Sequence, residues 1–573
     1  MTVQNAKIAD ILDEIADLIE LKEGNEFRIR SYRNAARTVR DLSERIADLA
    51  ENGEDLRALP NIGEGTAEKI GEILEKGTCR RLEELKKDVP EELTEIMGVP
   101  QVGPRKAVQL HDELGVESLE DLRKAAEDHR IRDLEGMGPK TEEKILKGLE
   151  TVAETSGRIS LKAAADQAES LGAFLDGIDE LDEWEIAGSF RRWKETIGDL
   201  DVLVRAEDRS AATDRILEFD AIEEVVSKGR ERVTVRLESG LQIDFRFFEE
   251  PAFGAALLYF TGSKAHNIKL RKRAVDREWK LNEYGLFSGK RRLAGKSEES
   301  VYHRLNMTWV PPELREERGE IEAALDDDLP SLIEQDDIRG DLHCHTTETD
   351  GNASIKEMAE AARDRGYDYL AITDHSKAVR MANGLNNDRL RKHAETIRRT
   401  NGSFKGLRIL AGVEVDILKS GRLDLDEDVL ADLDWVVGSV HYHWNLSRRR
   451  MTDRLIAAIE SGVVHCLGHP LGRMIGKRDP IEVELDEVFE ACREHDVRLE
   501  INSQPHRLDL PDVHCQRARK AGVGFTISTD AHKPSDLHFM RFGVATARRG
   551  WLEKAEVLNT STTRSLTKKL KRG

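Results

Sequence analysis

Cysteine is scarce in this chain. The five cysteines, at 79, 344, 466, 492 and 515, form no CxxC pair and make an odd count. That excludes a disulfide framework and fits a reducing compartment. Proline is scarce too, at 14 of 573 residues, while 39% of residues are hydrophobic and 35% charged, so the chain is globular rather than disordered. No apolar run reaches the roughly 18 residues of a membrane helix. The first twenty residues, MTVQNAKIADILDEIADLIE, read as an acidic amphipathic helix and not as a secretion signal, so a cytoplasmic location without membrane contact is expected. An excess of basic residues is also missing. Acids number 110 and bases 89, a net charge of −21. This excludes a protein that simply coats DNA and confines any nucleic-acid contact to local basic patches. The length predicts several domains.

Residues 1–150 read as helices joined by glycine turns. One pattern recurs at Gly63-Glu-Gly65, Gly98…Gly103 and Gly136…Gly138, each time opening a helix with a lysine or arginine just inside it, such as Lys69 and Lys106. Such turns aim backbone N–H groups at a positive helix end and can hold a phosphate. The three copies resemble helix-hairpin-helix motifs, which grip a DNA backbone without reading sequence.

From 151 to 315 the pattern is mixed, with strand-like runs at 185–187, 200–204, 232–237 and 241–247. Asp199 and Asp201 lie two apart on a strand and share a face, and Asp244 on another strand can join them. Three crowded carboxylates repel one another unless cations neutralise them. Two Mg²⁺ ions would do so and would clamp the oxygens of a phosphoryl transfer. Gly188 and Ser189, at the start of a helix, offer N–H groups to distal phosphates, and Arg192 adds a fixed positive fork.

The run Gly188-Ser-Phe-Arg-Arg192…Glu195-Thr-Ile-Gly198-Asp199-Leu-Asp201 resembles the palm of the family X DNA polymerases, relatives of DNA polymerase beta. The match continues through Tyr259-Phe260-Thr-Gly262-Ser-Lys-Ala-His-Asn267 and Trp309-Val-Pro-Pro-Glu-Leu-Arg315. The resemblance implies that Asp199, Asp201 and Asp244 hold two metals, with Asp244 nearest the primer 3′-OH. It implies that Ser189, Arg192 and Gly198 hold the triphosphate. Tyr259 and Phe260 then lie under the sugar, Asn267 touches the base edge and Arg271 faces the template. Where the family has Gly, this chain has Trp193, whose ring is expected to pack outward. Phe27-Arg28-Ile-Arg30-Ser-Tyr32-Arg33 resembles the helix that grips a gap's 5′-phosphate in that family, and Lys69 falls where its lyase lysine sits. Two roles stand open for Lys69: a nucleophile whose free amine attacks a sugar aldehyde, or a phosphate-binding lysine without chemistry.

Residues 316–337 hold ten acids and one base, Arg318, and read as a solvated acidic helix or linker. Beyond it, seven short apolar runs each end in a polar cluster, at 343, 375, 414, 441, 469, 500 and 530, in steps of 27 to 39 residues. That step is the length of a βα unit, and chemistry at the C-terminal ends of successive parallel strands marks an α/β barrel, here one unit short of eight. His343, His345, Asp350, His375, Glu414, His441, His469, Asp530 and His532 supply nine metal ligands. They suit two or three Mn²⁺, Zn²⁺ or Fe²⁺ ions better than Mg²⁺. HCHT…TDG, TDH, GVEVD, SVH, GHP and STDAH resemble the PHP (polymerase and histidinol phosphatase) domain. The resemblance implies one ion on His343, His345, Glu414 and Asp530, a second on Glu414, His441 and His469, and a third on Asp350, His375 and His532. Arg422 and Arg473 are candidates for a DNA phosphate, and Glu500 and Asn502 are expected to support the ligands.

The chain is therefore expected to be multidomain. A DNA-binding, lyase-like helical domain (1–87) and a fingers-like helical domain (88–150) precede an α+β nucleotidyltransferase palm (151–260) and a thumb (261–315). An acidic linker (316–337) and a distorted PHP barrel of about seven βα units (338–573) follow. The resemblance implies a monomeric gap-filling DNA repair polymerase acting on gapped or nicked DNA with dNTPs, with a 3′–5′ exonuclease. DNA contacts are expected at Arg28, Arg33, Gly63, Gly65, Gly103 and Lys106. The alternative is a DNA-end hydrolase whose palm is only a platform.

Overall fold

The computed structural model describes residues 158–570 except Gly476, and residues 5–145 except 22–25, 43–45, 52–53, 77, 83–84, 86–95, 97–101, 103, 117–118, 135, 140 and 143. It divides into two compact units, Met1–Arg158 and Ile159–Gly573.

The first unit is helical. Apolar residues at helical spacing (Ile8, Leu12, Ile15 and Ile19) give the Asn5–Leu21 helix one buried face. That face packs with Ala35, Ala36 and Val39 of the Glu26–Asp41 helix and with Ile70 and Ile73 of the Glu64–Lys76 helix. Leu110, Leu122 and Ile145 belong to the same core, so residues on both sides of the expected 87/88 boundary share one interior. Gly103 lies outside the described residues, and the copy of the glycine turn that it belongs to is not described further.

The second unit holds two sheets that carry chemistry. The palm sheet contains β1 (Glu183–Ile186), β2 (Asp199–Arg205), β3 (Ile222–Lys228), β4 (Arg232–Leu237) and β5 (Gln242–Phe247) in the order β1-β2-β5-β4-β3. Strands β2 and β5 are parallel and in register, with Asp201 beside Asp244. Leu200, Val202 and Val204 alternate into the core, which fixes the opposite face for the aspartates.

The barrel strands are β6 (Gly340–Asp341), β7 (Tyr369–Ile372), β8 (Arg408–Asp416), β9 (Trp435–Ser439), β10 (Cys466–Leu467), β11 (Arg498–Asn502) and β12 (Phe525–Ser528). They are all parallel and follow chain order. A parallel bridge between Cys344 and Ala531, just beyond β6 and β12, nearly closes the sheet.

The segment 316–337 contains the expected acidic helix, Glu320–Asp326, and seven of its ten acids are exposed, but it is not a free spacer, because Glu320 is buried and Glu316 half-buried. Glu320 accepts from His266 at 2.7 Å, and Glu316 lies 3.1 Å from both Arg192 and Arg549. Buried charges persist only when paired: Glu316 meets two arginines from distant parts of the chain, and Glu320 is held by the His266 imidazole and by the Glu317 and Arg318 backbone N–H groups. Palm and barrel also share apolar packing, with Leu508, Phe539 and Phe542 of the barrel built into the palm core.

Palm and thumb are pinned by a buried charge cluster. Glu298 receives two bonds from Arg315 (2.6 and 3.0 Å) and two from Arg191 (2.8 and 3.0 Å). Burial alone would raise its carboxyl, but Arg315 and then Arg191 outweigh that and hold it at about 2. A depressed folded value means that the stabilisation is present above the unfolded value and is lost as pH falls from there toward 2. Glu298→Gln is expected to lower stability by about 3–5 kcal/mol at pH 7, because Arg315 is left buried with its charge uncompensated. Urea midpoints of variant and wild type should converge as pH drops below about 4.

Candidate active sites

The palm site grows from the register of β2 and β5. Arg246, two residues beyond Asp244 and so on the same face, bridges the pair. It lies 3.1 Å from Asp201 Oδ1 and 3.1 Å from Asp244 Oδ2. Arg232 on β4 holds Asp244 by a fork at 2.8 and 2.7 Å, and the Thr234 hydroxyl donates to it at 2.7 Å. Burial, followed by the charge of Asp199, pushes the Asp201 carboxyl up. Such a cluster calls for positive charge, and its oxygen donors suit hard divalent cations. Sequence reasoning missed Arg232 and Arg246. The alternation in Gln242-Ile-Asp244-Phe-Arg246 was the available signal.

Gly188 starts a single helical turn, Gly188–Arg191, with φ +68. A Cβ there would meet Asp201 Oδ2 at 3.2 Å, so glycine lets the turn lie against the carboxylates. Ser189 follows on the same turn, and Gly198 sits immediately before β2. Arg192 closes the turn, with its guanidinium on Glu316 Oε1 (3.1 Å) and on the Thr261 carbonyl. Gly262, at φ +72, leaves room for it, since a Cβ would sit 3.1 Å from Arg192 Nη1. Trp193 takes φ +54, the left-handed region that suits the family's glycine. Its ring does not point outward. It is half-buried between Phe190 and Phe542, with ring centroids 6.3 Å away on each side.

Tyr259 and Phe260 meet edge to face at 5.1 Å, and Arg246 lies 4.4 Å over the Phe260 ring. Asn267 is buried and donates to the Tyr259 carbonyl at 2.7 Å, while Arg271 lies 5.8 Å over the Tyr259 ring.

In the helical unit, Lys69 Nζ donates to the Gly65 carbonyl at 2.7 Å and lies 6.0 Å from the Tyr32 ring centroid. Arg28 and Arg33 are exposed on one helix, with Arg33 4.0 Å from Asp13. Gly63 and Gly65 are exposed at the turn before Lys69, and Lys106 is half-buried on the Pro104–Leu114 helix.

On the barrel, Glu414 is the hub. Its Oε1 lies 2.9 Å from His469 and 3.3 Å from His441, and its Oε2 lies 2.8 Å from His375, 3.5 Å from His343 and 3.7 Å from His345. Asp530 Oδ1 is 3.0 Å from His345 and 3.8 Å from His343. Asp350 lies 3.3 Å from His375 and 3.6 Å from His532. Three overlapping groups have metal-binding geometry: His343, His345 and Asp530; His375, Glu414 and His441; and His345, Asp350, His375 and His532. The grouping differs from the expected one, in that His375 joins the Glu414–His441 pair and His345 serves two groups.

Outer partners orient the rings. Glu500 accepts from His343 Nδ1 at 2.7 Å, Asp416 lies 3.1 Å from His441 Nδ1, and Asn502 donates to Asp530 at 3.1 Å. His343 Nε2, His345 Nδ1 and Nε2, and His375 Nδ1 are buried and, despite the nearby carboxylate oxygens, make no hydrogen bond of good geometry. Burial, followed by the charges of His532 and His375, pushes His345 down to about 4, which favours its neutral form, the form that can bind a metal. Burial opposes the charged form of His375, but Glu414 and Asp350 outweigh it and raise it to about 10. Orphaned imidazole nitrogens among carboxylates that demand positive charge fit divalent cations. His469 and Asp530 also hold left-handed backbones, at φ +29 and +51, of the kind that persists at functional sites.

Arg473 is half-buried and donates to Glu195 of the palm and to the Leu508 carbonyl, each at 2.7 Å. Arg422 is exposed, and His443 lies outside the ligand groups found among the described residues.

Comparison with known proteins agrees with this layout. Residues 3–79 match a helix-hairpin-helix domain, 91–151 a SAM-like helix-hairpin-helix tandem, 256–316 the DNA polymerase beta thumb, and 341–504 the PHP domain. A probable phosphatase of Aliivibrio fischeri is 28% identical over 248 residues, 41% of this chain and 94% of the relative. The DNA polymerase/3′-5′ exonuclease PolX of Bacillus subtilis is 38% identical over 572 residues, which is 99% of both chains. The chain therefore belongs to the PolX family of DNA polymerases with a PHP domain.

Proposed function

We propose that the chain is a DNA-directed DNA polymerase that fills short gaps in DNA repair and carries a separate metal-dependent 3′–5′ exonuclease on its barrel. What supports this most is that one compact unit brings together two distinct sets of charged side chains. The in-register pair Asp201 and Asp244, with Asp199, is oxygen-only, and the Glu414 hub is rich in histidine.

At the palm, Gly188, Ser189, Arg192 and Gly198 hold the triphosphate, and Tyr259 and Phe260 form the floor under the sugar. Two Mg²⁺ ions on Asp199, Asp201 and Asp244 supply the clamp on the attacking and leaving oxygens when bound. Arg232 and Arg246 keep the carboxylates aligned. At the barrel, two or three Mn²⁺ or Zn²⁺ ions supply hydroxide at neutral pH when bound. Glu500 and Asp416 fix the tautomers of His343 and His441, and Asn502 orients Asp530. Arg28, Arg33, Gly63, Gly65, Gly103 and Lys106 hold the DNA backbone. The domain limits read from the sequence are kept in this reading with two exceptions: 1–87 and 88–150 share one core, and 316–337 is part of the packed second unit.

Extension and degradation of a labelled primer on a one-nucleotide gap, with Mg²⁺ and Mn²⁺ compared, tests the reading. Degradation without dNTP incorporation would leave the palm as a DNA platform. Lys69 has its own test. If it is a nucleophile, borohydride should trap a covalent adduct on a 5′-deoxyribose phosphate end, and Lys69→Ala should abolish it. Absence of an adduct with the wild type assigns Lys69 to phosphate binding only.

A further inference from the structure

We propose that Arg549, a residue of the barrel, is a positioning residue for the triphosphate loop of the polymerase site. The inference rests on the reading that Arg192 binds the dNTP triphosphate.

Arg549 is buried, with its side chain 5% exposed. Its Nη1 donates to the Arg192 carbonyl at 2.6 Å and to Glu316 at 3.1 Å, and its Nη2 lies 2.7 Å from Asp512. Asp512 also receives Arg318 at 3.0 Å. Glu316 in turn accepts from Arg192 Nε. Nε and Nη1 of Arg192 are thus fixed by Glu316 and by the Thr261 carbonyl, and Nη2 has no protein hydrogen-bond partner among the described residues. The plane of the guanidinium is set by protein, and one edge remains for an anion. The barrel grips the same loop twice more, through Phe542 on Trp193 and Arg473 on Glu195.

The charge arithmetic explains why Arg549 matters for nucleotide binding. Glu316 is an anion beside a site that must admit a triphosphate. Lys194, Arg549 and Arg318 share its charge with Arg192, and Arg549 is the one that also bonds the Arg192 carbonyl, so with Arg549 in place Arg192 keeps more of its positive field for the substrate. Without Arg549, Glu316 competes with the triphosphate for Arg192, and the loop loses the bond to its carbonyl. The loss should appear in dNTP binding and not in the chemical step.

Steady-state nucleotide insertion by the full-length protein tests this, with 3′–5′ exonuclease rate as the control for folding. Arg549→Met is expected to raise the dNTP KM about tenfold, with kcat within about threefold and the exonuclease within about twofold. Adding Glu316→Gln removes the uncompensated anion and should bring KM back to within about threefold of wild type, a rescue that a merely structural residue would not show. An unchanged KM in Arg549→Met, or no rescue by Glu316→Gln, overturns the proposal. If Arg549→Met loses both activities, Arg549→Lys, which keeps the charge for folding but cannot span the Arg192 carbonyl, Glu316 and Asp512 together, decides. A raised KM with intact exonuclease supports the proposal, and parallel loss of both activities overturns it. Arg192→Ala separates the two layers. If it leaves KM unchanged, the triphosphate reading fails and takes this inference with it. If it raises KM while Arg549→Met does not, only the inference fails.

Discussion

Asp201→Ala and Asp244→Ala are each expected to stop nucleotide addition and to leave removal of 3′ nucleotides at full rate. Losing one carboxylate from a two-cation site removes several kcal/mol of charge stabilisation, and at 1.36 kcal/mol per decade the rate falls about a thousandfold or more. The substitution also frees Arg246, which bridges the two aspartates, so the variant places a positive charge where a cation should sit. Asp244→Asn is the stricter test. It keeps the shape between Thr234 and Arg232 and removes only the charge. Single-nucleotide incorporation and exonuclease digestion on the same primer measure both outcomes. Equal loss of both activities in a folded variant would contradict two independent sites.

The converse experiment concerns the barrel. Glu414→Gln should reduce exonuclease activity by about a thousandfold or more and leave incorporation unchanged, since one carboxylate faces five imidazoles and its charge has no substitute. Asp530→Asn should act alike. Asparagine is the better probe than alanine there, because φ is +51 and asparagine tolerates the left-handed region. EDTA should stop both activities, and Mn²⁺ should restore the exonuclease better than Mg²⁺, because imidazole suits the softer ion. Metal content of the purified protein gives a readout besides activity, with Glu414→Gln expected to lose bound metal.

The His, Glu and Asp side chains that the structure brings together on the barrel rim could be picked out in the sequence because most of them sit near or just past the end of a strand, and strand ends show as apolar runs that stop at polar residues. Which of them lie closest to one another could not be read, since strand spacing does not say which neighbours His375 leans toward. Strand β3, Ile222-Glu-Glu-Val-Val-Ser-Lys, was missed for a physical reason. It is an edge strand with half its residues exposed, and its charges mask the alternation. The inward turn of Glu316 was missed for another reason. A run of acids reads as solvated unless the partner cations are close in sequence, and Glu316 pairs with Arg192 and Arg549, 124 and 233 residues away. Trp193 was misread in the same way, because its ring packs against Phe542 across the palm–barrel contact.

The shared apolar packing of palm and barrel bears on proofreading. Because Leu508, Phe539 and Phe542 belong to the palm interior, the two centres sit on one packed unit, and a swing of one toward the other would have to break that packing. A mispaired 3′ end must make the journey itself. The strand has to melt from its template over a set number of nucleotides, so the frequency of correction is governed by the stability of the terminal base pairs. A GC-rich terminus should accordingly be edited less often than an AT-rich one, with the protein contributing a constant distance rather than a motion.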